Sequence, residues 1–423
     1  LREVGLGGTH PLTQRYILLV SWVNMKHYFF SYIVDIKNKI NKLSLNPNDI
    51  ETLKEIQRDL LDWHFWLEEA TRFRKKRLKN LKRLKRLRHN SKEKSRTIKS
   101  SIQIVENQLL KLKELKLWAR HIGNSIPHIY YDKNDLRAYA YSTDKVELKE
   151  LSGDIHGKEG QDLENQSFEY ASSLGIKVLL NDLTSIMRHG DITLMNAPTP
   201  FLMELKQSEA CAKKAEKQLQ SMTAIQKYLL TDESQSIRGG KYISKRVSST
   251  SEEQNWINEL NDNLKVCLEK GCNISKIDEY VYCYSSLSGR LPEASDLSFI
   301  ETIKKPMFVS VNKLKNDMDL SLFYPFSLSI KDSNAFSLFI CGYLSIYLFI
   351  DWGALTDIAI THDITMELIG EDYCLELKSK DGRAALSYTL TKALLEFTSL
   401  NWAIEQACKL YQEAMVMYEN LDT

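Results

Sequence analysis

The sequence predicts an α/β chain in three parts: an N-terminal α-helical hairpin or coiled coil with a basic arm (1–150), an α/β core (151–304) and an α+β C-terminal domain (305–423). Three observations lead to this fold class. Apolar residues recur at helical spacing in the first third, two short apolar runs flank a Pro-containing turn in the middle, and strand-like segments precede a long helical stretch towards the end. A chain of 423 residues is long enough for two or three domains.

The N-terminal part is predicted to be an antiparallel helical hairpin. Apolar residues repeat every three or four positions over 18–36, and the same spacing resumes over 53–67. The intervening Asn-Pro-Asn-Asp at 46–49 is a helix-breaking turn. A third helix is expected over 102–112, returning the chain towards the core.

A basic arm is predicted between the second and third helices. Segment 72–99 contains fifteen Lys or Arg against the single acid Glu93, a net charge of +14, which leaves −12 for the rest of a chain whose total is +2. Either this is the solvated tip of a coiled coil, or it binds an anion; charges of one sign repel one another and favour a nucleic-acid partner. The candidate phosphate-binding residues are Lys79, Lys82, Arg83, Lys85 and Arg86.

The middle of the chain contains a candidate site on a β-hairpin. Asp191 begins one apolar run, a turn follows at 197–200, and the next run ends in Glu204-Leu205-Lys206. Residues two apart on a strand share a face, so Glu204 and Lys206 point the same way and Asp191 can converge on them. Two carboxylates beside an ammonium can hold a hard divalent cation and position a water for attack on phosphate. An isolated E-x-K is more often a surface strand with an ordinary ion pair.

The helices predicted on either side add two candidates. Over 161–175, Glu164 shares a face with Phe168, whereas Glu169 lies on a polar face expected to meet solvent. Over 208–230, Gln218 is the one amide within an apolar stripe, whereas Gln220 falls among lysines on the solvated face. Glu164 and Gln218 are therefore the better site candidates of each pair.

The order of these elements, with a further strand expected over 176–180, resembles the PD-(D/E)XK nuclease superfamily, which is restriction-endonuclease-like. The resemblance covers roughly residues 155–230 plus a further strand predicted over 276–284. It implies a mixed sheet flanked by helices and hydrolysis of phosphodiester bonds with Mg²⁺ or Mn²⁺, double-stranded DNA being the favoured substrate. Gly190 stands where the family has proline before the aspartate.

The resemblance also implies roles for individual residues. The implied catalytic set is Glu164, Asp191, Glu204, Lys206 and Gln218. Asp191 and Glu204 would bind the metal with Glu164 assisting, Lys206 would orient the attacking water, and Gln218 would position the site. His189 beside this set either contacts phosphate or is structural.

The expected function is that of a Mg²⁺-dependent DNA endonuclease, and the fused helical arm looks like those of bacterial restriction or phage-defence nucleases. The alternative is a non-catalytic nucleic-acid-binding or scaffolding protein with a nuclease-like core, although the intact acids and Lys206 speak against it. Seven scattered cysteines without a secretory signal predict reduced thiols and a cytoplasmic location. The apolar run over 335–350 is too short to span a membrane. Self-association or a protein partner is expected through the hairpin or the C-terminal domain.

Overall fold

The computed structural model describes residues 22–419 except 88–90, 158–159, 206–211, 236, 240–242, 247–250, 290–292, 371–372 and 387. Within these residues the chain is mixed α/β, with an N-terminal helical region and several small sheets. The predicted α/β class and the helical first third are confirmed. All pairings among the described strands are antiparallel, so the mixed sheet that the resemblance implies is not formed by them.

Three long helices form the N-terminal region: α1 (Trp22–Leu45), α2 (Ile50–Lys85) and α3 (Lys92–Gly123). The turn before α2 falls at the predicted 46–49, and Asp49 caps α2 by accepting the Thr52 N–H at 3.0 Å. Apolar side chains at three- and four-residue spacing on α1 and α2 are buried, which confirms the predicted hairpin. Helices α2 and α3 form a second, longer antiparallel pair, followed by α4 (Ser125–Tyr130) and α5 (Lys133–Ala138).

The predicted core elements are present; the helix over 161–175 and the strand over 176–180 are slightly shorter than predicted, and 208–211 of the second predicted helix lie outside the described residues. The elements of this part are α6 (Gln161–Ser173), β1 (Val178–Leu180), β2 (Ile192–Leu194), β3 (Phe201–Met203), α7 (Ala212–Thr231), and a short pair of strands, β4 (Glu233–Ser234) and β5 (Ser244–Lys245). Strands β1, β2 and β3 form one sheet in that order. The predicted hairpin is confirmed as β2 and β3, with Ile192 opposite Met203.

A second sheet has the order β6-β7-β9-β8, and helix α8 (Ile257–Lys270) packs against its first two strands. Its strands are β6 (Cys272–Asp278), β7 (Val281–Leu287), β8 (Pro306–Ser310) and β9 (Leu344–Asp351). The single strand expected over 276–284 is wrong, because a turn at 279–280 divides it into β6 and β7. Both strands pair here and not with β1–β3. Since this sheet combines strands from either side of residue 304, the predicted boundary at 304 does not coincide with a boundary between sheets.

The rest of the C-terminal part is α+β. It consists of α9 (Val311–Asp317), α10 (Phe326–Ser329), α11 (Ser333–Cys341), α12 (Trp352–Thr361), the sheet β10 (Thr365–Ile369), β11 (Cys374–Ser379) and β12 (Gly382–Leu386), then α13 (Thr389–Glu396) and α14 (Leu400–Glu419). The apolar run over 335–350 divides into α11 and β9, both largely buried. None of the described helices has the length and apolar character needed to cross a membrane.

The helical region supports the small sheet directly. Gln57 of α2 is fully buried; its Nε2 donates to the Val178 carbonyl and its Oε1 accepts the Leu180 N–H, each at 2.8 Å. A side-chain amide therefore satisfies the outer edge of β1 in place of another strand. At the end of α3, Gly123 lies so close to Leu183 that a Cβ would stand 2.0 Å from its carbonyl oxygen. These contacts fix the sheet against α2 and α3.

Candidate active site

The β2–β3 hairpin brings Asp191 and Glu204 together. Asp191 and Glu204 lie one position outside the pair Ile192 and Met203, with which the hairpin ladder ends. The Asp191 N–H donates to the Met203 carbonyl at 2.8 Å, and the Asp191 Oδ2 accepts the Leu205 N–H at 2.7 Å. Asp191 is therefore bonded to the residues on either side of Glu204. Asp191 and Glu204 are both half-buried, and the Oε2 atom of Glu204 is buried.

The loop before Asp191 requires glycine at position 190. Gly190 has a φ of +72°, and a Cβ there would stand 2.8 Å from the Met203 carbonyl oxygen. Proline is locked near −65° and cannot adopt this backbone. Asn181 holds the loop from the other side, because its Nδ2 donates to the carbonyls of His189 at 2.8 Å and Gly190 at 3.1 Å. The glycine is thus required by the geometry that presents Asp191.

A lysine that the sequence did not point to lies within electrostatic reach of the two carboxylates. Burial lowers the pKa of Lys149, and the nearby charges of Glu204, Asp191 and Asp144 oppose that shift. The Lys149 backbone N–H donates to the Ala140 carbonyl at 2.9 Å, which closes the polar turn that carries this side chain. The turn has no apolar periodicity, so no signal in the sequence pointed to Lys149.

His189 positions this ammonium. Its Nε2 lies 2.9 Å from the Tyr141 carbonyl, which can only accept, so Nε2 carries the proton and Nδ1 is free to accept from the Lys149 Nζ at 3.5 Å. Burial, and then the neighbouring charges of Lys149 and Arg188, lower the pKa of His189 to about 4. The ring is therefore neutral near pH 7. Of the two roles considered for His189, its burial and these bonds support the structural one.

Glu164 and Glu169 lie on different faces of α6, as expected. Glu164, in the first turn, is half-buried on the face of Phe168, which is 2% exposed where α6 packs against β1. Glu169 is exposed, but it also forms a two-pronged ion pair with Arg58 of α2, with its Oε1 and Oε2 at 2.8 and 2.9 Å from Nη2. The face of α6 that carries Glu169, which the sequence predicted to meet solvent, therefore also contacts α2.

The two glutamines of α7 differ in the same way. Gln218 is half-buried on the side of the buried Met222 and Ile225, whereas Gln220 is exposed. The Gln218 Oε1 is buried, and the described part of the chain offers it no hydrogen-bond partner. A buried amide oxygen in that state is available to a ligand or to a group outside the described residues. Lys206 itself lies outside them.

Asp191 and Glu204 fit a hard divalent cation in their donor chemistry. They supply carboxylate oxygens at the end of the hairpin, and these are the ligands Mg²⁺ prefers. Among the residues that the structure describes, no group of three or more His, Cys, Asp or Glu side chains is arranged to hold a metal ion. Asp191 and Glu204 are the two predicted ligands that the hairpin places together.

The predicted phosphate-binding cations lie at the far end of the α2–α3 pair. The side chains of Lys79, Lys82, Arg83, Lys85 and Arg86 are all exposed. Lys82 also forms an ion pair with Glu106 of α3 at 2.9 Å, which joins the two helices near the tip. The cations are therefore accessible to a large anionic partner.

No protein-family model matches the chain, and neither the curated proteins nor the solved structures include a similar one.

Proposed function

We propose that this chain is a metal-dependent nuclease of the PD-(D/E)XK type that hydrolyses phosphodiester bonds, with duplex DNA as its substrate. The observation that carries the proposal is the pair Asp191 and Glu204 at the end of a tight hairpin, where both carboxylates act electrostatically on the Lys149 ammonium. A defence or restriction role in bacteria is the biological setting that the fused basic arm suggests.

Each residue has a distinct task in this proposal. Asp191 and Glu204 would hold Mg²⁺ or Mn²⁺, which supplies charge stabilisation at the phosphate when bound. Lys206 orients the attacking water, and Lys149 attracts the phosphate into the site. Glu164 and Gln218 position these groups from α6 and α7.

One observation favours the alternative of a non-catalytic nucleic-acid-binding protein. The Lys149 ammonium acts on both carboxylates, so it partly neutralises them as a bound cation would. In that case the hairpin is held together without a metal, and only the basic arm binds nucleic acid.

Incubation of the purified protein with plasmid DNA and with RNA, in Mg²⁺ or in chelator, tests the proposal. We expect the plasmid to be cleaved in Mg²⁺ and to stay intact in chelator. Binding without cleavage of either nucleic acid, in Mg²⁺ and in Mn²⁺ alike, would reject the nuclease and support the binding protein.

A further inference from the structure

The basic arm extends well past the last anchors between the helical region and the core. On α2, buried Glu68 accepts the backbone N–H groups of Ile155 at 2.7 Å and His156 at 3.0 Å. On α3, the Lys116 Nζ lies 2.6 Å from the Asp154 Oδ1. Both anchors hold the loop that leads into α6, and the arm continues beyond them as a pair of helices with exposed cations.

A groove between α2 and α3 connects the arm with these anchors. It has a volume of about 480 Å³ and is lined by Lys75, Lys113 and Lys116, together with Thr71, Glu106, Leu109 and Leu110. Three of its seven lining residues are thus lysines. The groove is nevertheless largely apolar with lysines at its rim, and Lys116 at its inner end is paired with Asp154 of the core.

The loop anchored beside the groove leads back to the candidate active site. Lys149 of the site and Asp154, which bonds Lys116, are five positions apart, and a chain spans at most about 3.5 Å per residue, so their Cα atoms are at most about 17 Å apart. Along α3, at about 1.5 Å per residue, Lys92 at the tip lies about 36 Å from Lys116. The arm is therefore about 36 Å long, and a short stretch of chain connects its inner end to the site.

We propose that the arm and the candidate active site bind the same DNA duplex, so that cleavage requires duplex that extends from the cleaved bond along the arm, whose length corresponds to about 11 base pairs. This length is the distance of about 36 Å from Lys92 to Lys116 divided by about 3.4 Å per base pair. The inference rests on the proposed nuclease function and specifies its substrate. A shorter duplex reaches the site or the arm, and a longer one reaches both.

Binding and cleavage of blunt duplexes of about 8, 12, 16, 24 and 40 base pairs test the inference. Affinity is measured in chelator and cleavage in Mg²⁺, for the wild type and two variants. The arm variant replaces Lys79, Lys82, Arg83, Lys85 and Arg86 with Gln. The matched control replaces five exposed lysines elsewhere with Gln, namely Lys265, Lys270, Lys276, Lys305 and Lys313.

For the wild type and the control, we expect affinity to rise by orders of magnitude between about 8 and 16 base pairs and then to level off, with cleavage following the same course. The arm variant should bind all lengths weakly. Its slope of log affinity against log salt should be lower by several units, because each phosphate that is no longer neutralised reduces the slope by about 0.9.

Two results would overturn the inference in distinguishable ways. Cleavage of the shortest duplex as efficiently as the longest, per base pair, rejects the shared duplex but leaves the nuclease proposal intact. Length-dependent binding with no cleavage of any duplex rejects the nuclease proposal and, with it, the length requirement for cleavage.

Discussion

Oppositely charged side chains cluster at two places in this molecule. The two places differ in how completely the charged groups are paired with one another. At the candidate active site, the half-buried Asp191 and Glu204 act electrostatically on the Lys149 ammonium. At the second place, which we call the ionic joint, the side chain of Glu396 is 0% exposed and is held by Lys133 and Arg137, with Lys392 close by and Glu253 paired with Lys133. Among the described residues, the first cluster has more carboxylates than cations, and the second has more cations than carboxylates.

The ionic joint is fully bonded. Glu396 Oε1 accepts from Arg137 Nη2 at 2.5 Å and from the Tyr324 N–H at 3.1 Å, and its Oε2 lies 2.8 Å from Lys133 Nζ. Burial alone would raise the pKa of Glu396, but the cations overcome this and hold it at about 2. Such an arrangement connects α5 to α13 and has a structural role. The difference predicts that substitutions in the two clusters will affect different properties of the protein.

The largest expected effect is on activity. Asp191→Ala, Glu204→Ala and Lys206→Ala should each reduce phosphodiester cleavage by at least about 10³-fold, equivalent to about 4 kcal/mol, because each removes a metal ligand or the group that orients the water. Cleavage rates at saturating Mg²⁺ and thermal unfolding would be measured together. The fold should be intact, since the hairpin's backbone pairing is retained. Wild-type rates in any two of the three variants would mean that the site is wrongly assigned.

The second effect is on stability. Glu396→Gln should lower the free energy of unfolding by about 3–5 kcal/mol, because it removes the buried carboxylate shared by three half-buried cations, of which Lys133 keeps Glu253 as a partner. Glu367→Gln is the matched control, since Glu367 is 68% exposed and pairs with Lys378 on the surface. Urea unfolding would compare the two. A Glu396 variant as stable as the control would show that the joint contributes no more than a surface pair.

The third effect concerns Lys149. Both clusters contain a lysine close to carboxylates, and Lys149 is the one at the candidate active site. Lys149→Met should slow cleavage by about 10–100-fold, about 1.4–2.7 kcal/mol, with Lys149→Arg restoring part of the rate. Lys145→Met is the control, because Lys145 is exposed on the same turn. Equal rates for the two methionine variants would remove Lys149 from the site.

The sequence predicted the hairpin and its acids because both depend on a local pattern. This pattern is a turn between two apolar runs, in which side chains two positions apart share a face of the strand. It did not predict Lys149 or the ionic joint, because these arise from contacts between distant parts of the chain. Lys133 and Glu396 are far apart in sequence and meet only when α5 and α13 pack. The strand expected over 276–284 was wrong for a local reason, because the turn that divides it consists of Glu279 and Tyr280, which are not typical turn residues.

The smallest expected effects test the two helix faces beside the site. Glu164→Gln and Gln218→Ala should slow cleavage by roughly tenfold, because each removes an inward polar group, whereas Gln220→Ala should leave the rate unchanged. Glu169→Gln should also keep the rate but lose up to about 1 kcal/mol of stability, because it breaks the surface pair with Arg58. Rates and urea unfolding measured on all four variants separate these expectations. Equal loss of rate for Glu164→Gln and Glu169→Gln, and for Gln218→Ala and Gln220→Ala, would show that the inward side of each helix has no special role in cleavage. An unchanged stability for Glu169→Gln would show that the contact between α6 and α2 does not depend on its ion pair with Arg58.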